Sequence, residues 1–371
     1  MHAFTSWNCQ RERGPGLPGG AGIPLNGTEG VDPLQPRVGV TEPEYWKAPE
    51  IFEACPLGCI PVPEQEEALA QAILDRQLRH VIVGPRPYCG PLYAALPPGG
   101  VIARFGVGHD NLNKRRATEA GLLCTNTPEV LNQSVVEHTL ALLFAAARRL
   151  HLLHGTTKAG LWQPLTGTEL AGKTLAIVGC GSIGRRVALA ASRGLGMCVV
   201  GVTRHVSQLQ PVSQEYGIQQ LYDALEPALA VADFVSLHVP GGSATYHLIN
   251  ADRLRQFRPQ AWLINTSRGS VVDEIALYDA LVEGRLGGAA LDVFEREPYE
   301  PSDPRRDLRT LPNVILTPHC GSNTAEANRR MAERALRNIE LAEAGRYAEM
   351  DLLNREVLAR LGQPGGRSPS A

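Results

Sequence analysis

The chain has 371 residues, of which 43% are hydrophobic and 20% charged, with a formal net charge of -2. This length suggests two domains or one large one with an ample core, and near-neutrality excludes a global attraction to nucleic acid or to an anionic membrane surface. Small molecules and a second copy of the chain are the expected partners.

The N-terminal MHAFTSWNCQRERGPG lacks the apolar core of a signal peptide, and Glu137 and His138 interrupt the apolar run near Val135. Neither export nor membrane insertion is expected. Eight scattered cysteines in so core-rich a chain do not read as a disulfide framework, which points to a reducing, cytoplasmic compartment. Cys55 and Cys59 have a spacing that suits metal, but no second ligand pair follows. They read as incidental thiols, and no metal is expected.

In chain order, residues 1–36 are dominated by glycine, proline and small polar residues, too little apolar surface to offset ordering, and are expected to form a flexible arm. Asn26, within an Asn-Gly-Thr glycosylation acceptor, is expected to be idle without a secretory signal. From Arg37 strands alternate with helices: VGVTEP, a helix over residues 66–78, HVIVGP and GGVIARFGVG. TNTP, residues 125–128, makes a turn, and Asn132 or Ser134 is expected to cap the helix running through VVEHTLALLFAAARRL. A polar stretch with Gly160, Leu161 and Trp162 then leads to LAIVGCGSIGRR, residues 175–186.

That stretch reads as strand, tight turn, helix. Gly179 permits the turn, Gly181 lets the backbone touch a pyrophosphate, and Gly184 lets the helix pack closely on the strand. The pyrophosphate would meet free backbone N–H groups at the positive helix end, with Ser182 and Ile183 among the expected cofactor contacts. Beyond it come CVVGVT, a helix near residues 222–230, DFVSLHVP, a helix near Ala251, AWLINTS, a helix over 274–283, GGAALDVF and NVILTPH. Such a doubly wound sheet binds its ligand across the carboxyl ends of its strands, where His238, Val239, Pro240 and Thr266 are further expected contacts. Residues 324–361 read as helical, and the tail from 363 is expected to fray.

Three polar positions after apolar strands carry the chemistry: Arg268 in INTSRG, Asp292 and Glu297 in LDVFEREP, and His319 in ILTPHCG. A permanently cationic fork grips a carboxylate through two parallel hydrogen bonds, histidine trades a proton near neutral pH, and a carboxylate on its second nitrogen holds the ring. Together they suit hydride transfer to a 2-oxo acid with proton delivery to its carbonyl oxygen. Singly, each has a plainer reading as a surface ion pair, a solvated charge or a strand-end histidine.

With RFGVGHDN, TNTP, VVEHTLALL, ELAGKTLAIVGCGSIGR, INTSRGSVVDE, GAALDVFEREP and LTPHCGSNT in order over about residues 38–354, the chain resembles the D-isomer-specific 2-hydroxyacid dehydrogenases. That family includes phosphoglycerate dehydrogenase, glyoxylate/hydroxypyruvate reductase and D-lactate dehydrogenase. The resemblance implies two Rossmann-like α/β domains with doubly wound parallel sheets and the active site in the cleft between them. A split substrate domain would comprise 37–129 plus 324–362, and a dinucleotide-binding domain 130–323, with crossovers near Glu129 and Asn323. It further implies that Arg268 binds the substrate carboxylate and carbonyl, His319 is the acid/base, Glu297 its partner, and Asp292 a contact on the nicotinamide carboxamide side. Backbone N–H groups at Val107 and Gly108 would receive the substrate carboxylate. Arg104 would either meet a substrate phosphate or pair with a carboxylate of its own domain, and Arg86 would lie near the same cleft. The helix from Ser134 would be either part of a homodimer interface or buried core.

NAD-using relatives carry an acidic residue at the end of the second strand of the dinucleotide domain, whereas this chain has Thr203 followed by Arg204. Loss of that carboxylate removes repulsion toward a 2'-phosphate, and an arginine there can bind it, so NADP is favoured over NAD unless Arg204 is an incidental loop residue. The expected activity is that of an NADP-linked glyoxylate/hydroxypyruvate-type reductase. D-3-phosphoglycerate dehydrogenation and a dinucleotide-sensing corepressor-like scaffold are the alternatives.

Overall fold

The computed structural model describes residues 37–361. The expected arm with Asn26 and the expected tail lie outside the described residues. Five short strands, β1 Val38–Thr41, β2 Cys59–Val62, β3 His80–Val83, β4 Val101–Arg104 and β5 Leu123–Thr125, form one parallel sheet in the order β2-β1-β3-β4-β5. Seven more form a second parallel sheet: β6 Thr174–Val178, β7 Cys198–Val202, β8 Ile218–Tyr222, β9 Phe234–Leu237, β10 Trp262–Asn265, β11 Gly288–Leu291 and β12 Val314–Leu316. Their order is β12-β11-β10-β9-β6-β7-β8. Strands β1, β3, β4, β9 and β11 are largely apolar and buried along their whole length, as strands covered on both faces must be.

Parallel pairing puts the carboxyl ends of all strands of a sheet on one edge. In the larger sheet the chain runs outward from β6 through β7 and β8, then returns to β9 on the other side of β6. The crevice at this reversal is where an open α/β sheet takes a ligand. Both sheets are α/β and doubly wound in the sense expected.

The helix Ala325–Glu343 returns the chain to the smaller sheet. Ala327, Met331, Ala335 and Ile339, spaced four residues apart, pack in one core with Val38, Val40, Val101 and Ala103. Burial of side chains such as Met331 and Ile339 contributes about 1.5–3 kcal/mol each. The Thr324 hydroxyl caps this helix by accepting from the Ala327 N–H at 3.2 Å. The helix Asn132–Arg148 spans both packing regions, with Leu131 and Val135 in the core of the smaller sheet and Val136, Leu142 and Leu143 in that of the larger.

Four expectations need correction. Neither Asn132 nor Ser134 caps its helix: the Asn132 amide donates to Ser182 Oγ at 2.7 Å, and the Ser134 hydroxyl pairs with Thr324 at 2.8 Å. Both side chains serve junctions between elements rather than their own helix end. The segment near residue 222 is first the strand β8, followed by the helix Glu226–Val231. Residues 324–361 are not one helix, because Gly345 adopts a φ of 68°. Asn354 then ties the chain to β5, accepting from Cys124 N and donating to Leu122 O, both at 2.9 Å. Finally, neither β2, which Cys59 opens, nor β5, whose last residue Thr125 was expected in a turn, was anticipated. Among the described residues no helix is long and apolar enough to cross a membrane.

Candidate active site

The three glycines after β6 have three distinct physical reasons. Gly179 adopts a φ of 96°, and a Cβ there would lie 2.5 Å from the His238 carbonyl oxygen. A Cβ on Gly184 would lie 2.1 Å from the Gly179 carbonyl oxygen, so the helix Ser182–Leu195 can approach the turn only without a side chain there. At Gly181 a Cβ would meet no protein atom within 4 Å. That opening leaves the Gly181 backbone accessible to a ligand, as a pyrophosphate cradle requires. The Ser182 hydroxyl accepts from the Asn132 amide at 2.7 Å, which leaves its own O–H and the backbone N–H to offer a ligand.

A cavity of about 740 Å³ runs from these glycines past the end of β7. Thr203, Arg204 and His205 line it, together with His238, Val239 and Pro240 after β9. Arg204 is exposed and makes no hydrogen bond or ion pair among the described residues. Arg185 and Asp223 line the same cavity, and sequence reasoning missed both. Arg185 follows the last glycine of the turn by one residue, and its guanidinium lies 4.9 Å from the Tyr216 ring centroid. His238 is half-buried, its Nε2 sharing a hydrogen bond with Ser236 Oγ at 2.9 Å, and desolvation pushes its pKa down to about 4.

His238, Val239 and Pro240 also line a second cavity, of about 440 Å³, that holds Val107, Gly108, Ile183, Thr266, Arg268, Asp292 and His319. Of the strand-end residues singled out from the sequence, Arg268, Asp292 and His319 therefore converge on one space, while Glu297 lines a neighbouring cavity that shares His319 with it. Arg268 is presented by a locked loop: Asn265 accepts from Ser267 N at 3.0 Å and from Ser267 Oγ at 2.8 Å, and donates to Arg268 O at 2.9 Å. Gly269 is required because a Cβ would lie 1.8 Å from the Phe294 carbonyl carbon. The Arg268 guanidinium lies over Gly108, where a Cβ would sit 1.2 Å from Nη2. Its Nε donates to Asp110 Oδ1 at 3.2 Å, a partner within RFGVGHDN to which the sequence gave no role. The TNTP turn steadies this loop, Asn126 donating to Val107 O at 2.7 Å and Thr127 Oγ1 accepting from Gly106 N at 2.9 Å.

His319 has a φ of 49° and bonds Glu297 Oε2 through Nδ1 at 2.6 Å. The other Glu297 oxygen accepts from Phe294 N at 3.0 Å. An ionised carboxylate only accepts, so Nδ1 carries the hydrogen and Nε2 is left without a hydrogen-bond partner among the described residues. Asp292, directly after β11, is almost wholly buried. It accepts from Thr317 Oγ1 at 2.6 Å, Cys320 N at 2.9 Å, Gly321 N at 2.8 Å and His138 Nε2 at 3.2 Å. Burial alone would raise this carboxyl, but those hydrogen bonds outweigh it and hold Asp292 below the ordinary carboxylate range.

Arg104 separates two cavities. It lines the second one and, with Phe105, His319 and Ser322, a third of about 680 Å³ that also takes in Lys47, Glu64 and Arg86. Its guanidinium donates to Phe105 O, its Nε is buried without a partner, and burial pulls its pKa down to about 10 against the opposing Glu44. Among the described residues Arg104 has no carboxylate within salt-bridge distance, so the alternative of a simple intradomain ion pair is not what the structure contains. Arg86 reaches the third cavity and pairs with Glu64 at 2.8 Å.

A family model described as D-isomer specific 2-hydroxyacid dehydrogenase, NAD binding domain, matches residues 140–321. The chain is 37% identical over 346 residues to a glyoxylate reductase of Thermococcus litoralis, covering 91% of this chain and 96% of that one. It is 40% identical over 279 residues to a glyoxylate reductase of Korarchaeum cryptofilum, covering 73% and 81%. Among solved structures it resembles the NADPH-dependent glyoxylate/hydroxypyruvate reductase of Sinorhizobium meliloti in complex with NADP and malonate. The TM-score is 0.70 with 29% identity, over 83% of this chain and 93% of that one.

Proposed function

The chain belongs to the D-isomer-specific 2-hydroxyacid dehydrogenase family, and on that premise we propose that it is a glyoxylate/hydroxypyruvate-type reductase that prefers NADP(H). The observation that carries this reading is His319, held by Glu297 at 2.6 Å, on the same cavity as Arg268. Arg268, lying over Gly108, holds the carboxylate of the 2-oxo acid with the backbone at Val107 and Gly108. His319 gives its Nε2 proton to the carbonyl oxygen, and Glu297 fixes the ring through Nδ1 and stabilises its charged form. When bound, the nicotinamide supplies the hydride to C2 of the substrate. Gly179, Gly181 and Gly184, the N–H groups of Ser182 and Ile183, His238, Val239, Pro240, Thr266 and Asp292 hold the dinucleotide.

Exposed Arg204 and the absence of a carboxylate at 203–205 support the NADP preference, since a guanidinium can meet a 2'-phosphate with charge-assisted bonds. The domain boundaries we adopt are 37–129 plus 324–362 for the substrate domain and 130–323 for the dinucleotide domain. We also propose a homodimer, supported by Phe144, Leu150, Leu161 and Trp162, which are 45%, 57%, 48% and 90% exposed. The free thiols among the described residues support a reducing, cytoplasmic compartment. Oxidation of a larger substrate, 3-phosphoglycerate, is the second reading, favoured by the unpartnered Nε of Arg104 beside the third cavity.

Consumption of NADPH and NADH against glyoxylate, hydroxypyruvate, pyruvate and phosphohydroxypyruvate tests these assignments. The expected result is turnover of the first two with NADPH, abolished in His319→Ala while dinucleotide binding persists, and a shift toward NADH in Arg204→Asp. Absence of turnover across the panel would favour a dinucleotide-sensing scaffold, and a clear NADH preference would overturn the role of Arg204.

A further inference from the structure

Around the buried Asp292 carboxylate, three metal-ligating side chains from distant parts of the chain meet. His138 comes from the helix Asn132–Arg148, Asp292 from the end of β11, and Cys320 from the residue after His319. His138 Nε2 lies 3.2 Å from Asp292 Oδ1, and Cys320 Sγ lies 3.6 Å from the same oxygen. All three ligand atoms fall within 4.8 Å of one another. Tetrahedral zinc, with Zn–N and Zn–O bonds near 2.1 Å and Zn–S near 2.3 Å, needs ligand separations of about 3.3–3.7 Å. Two edges of such a tetrahedron are thus already in place, and the third needs only a small side-chain movement. Thr317 Oγ1, 3.1 Å from His138 Nε2, stands on the same side and now shares that nitrogen with Asp292.

We propose that His138, Asp292 and Cys320 form a latent site for a thiophilic divalent cation such as Zn²⁺, and that its occupation inhibits the enzyme. Imidazole, carboxylate and thiolate make a donor set suited to zinc and poorly suited to Mg²⁺ or Ca²⁺, which take oxygen ligands. On capture the Cys320 thiol releases its proton to solvent, and the His138 proton moves from Nε2 to Nδ1, which has no hydrogen-bond partner among the described residues. The cation is reached from the cleft, since Cys320 lines the third cavity and Asp292 the second. Inhibition follows from the shared anchor: His319 N donates to Asp292 O at 2.8 Å, and Gly321 N to Asp292 Oδ2 at 2.8 Å. A cation on Asp292 takes its carboxylate away from cofactor contact and fixes the loop that carries His319.

The test titrates the full chain with Zn²⁺ by calorimetry and with Co²⁺ by absorption, alongside turnover. One equivalent per chain, a thiolate-to-cobalt charge-transfer band, and inhibition reversed by a chelator are expected. Cys320→Ser, which keeps a small hydroxyl donor beside Asp292, should keep its basal turnover, lose the band, and weaken zinc inhibition by at least about tenfold. His138→Gln should weaken Co²⁺ binding in the same way. Failure of the wild-type chain to bind zinc overturns the proposal. So does equal inhibition of wild type and Cys320→Ser, which would place the cation elsewhere, such as on His319 and Glu297.

Discussion

Replacing Gly108 by alanine tests whether the Arg268 guanidinium is the carboxylate grip. The new methyl group would lie 1.2 Å from Nη2 and 2.5 Å from Cζ, so the guanidinium must leave its place over the loop. The φ of Gly108 lies outside the left-handed range, so the backbone accepts alanine and the fold should persist. What is lost is a charge-assisted pair of hydrogen bonds to the substrate, worth about 2–3 kcal/mol. At 1.36 kcal/mol per decade this is a fall in kcat/KM of about 30- to 150-fold. Steady-state kinetics with glyoxylate should show that loss, while the melting temperature and dinucleotide affinity stay close to those of the wild type. Folded Gly108→Ala protein with unchanged kcat/KM would refute the placement of Arg268 as the carboxylate site.

Gly181→Ala is the complementary case, because its methyl group meets no protein atom. Thermal stability should be unchanged while the KM for the dinucleotide rises, and a variant with normal cofactor affinity would show that the pyrophosphate does not sit there. A pH effect follows from Glu274, which burial, then the neighbouring Glu295 and Glu297 charges, push up to about 7. In the unfolded chain this group ionises near its ordinary value, so the wild type loses stability as pH rises from about 4.5 through about 7, by up to about 3 kcal/mol. Glu274→Gln keeps the acceptor for Glu295 N and removes the charge. Denaturation at pH 5 and pH 8 should show the variant gaining on the wild type with pH, and a constant difference would contradict the assignment.

The central strands and the order of the site motifs were legible because they carry the strongest local signals. β6, β9 and β11 are short apolar runs, and in a parallel sheet the residue after each run must face the same edge as every other. This is why Gly179, His238, Arg268, Asp292 and His319 could be picked out one by one from their places after strands. The three strands that went unread, β2, β5 and β8, are all sheet edges, and β5 is only three residues long. CIPV contains a proline and only its valine is buried, and IQQLY buries only its isoleucine. Partial burial on an edge relaxes the apolar pattern on which strand reading depends.

Side-chain partners obey a different logic. Asn132 and Ser134 look like helix caps by position, yet packing of two helix ends turns them toward Ser182 and Thr324. The grip of Asp110 on Arg268 joins residues 158 apart, and the trio of His138, Asp292 and Cys320 draws on three separate elements. The sequence by itself determined the sheet type, the dinucleotide turn and the identity of the groups facing the cleft, since each follows from spacing within about a dozen residues. Only the tertiary structure decided which of those groups touch, which stay unpartnered as Arg104 Nε does, and where a cation could be caught. Those outcomes depend on distances between segments, which no local pattern encodes.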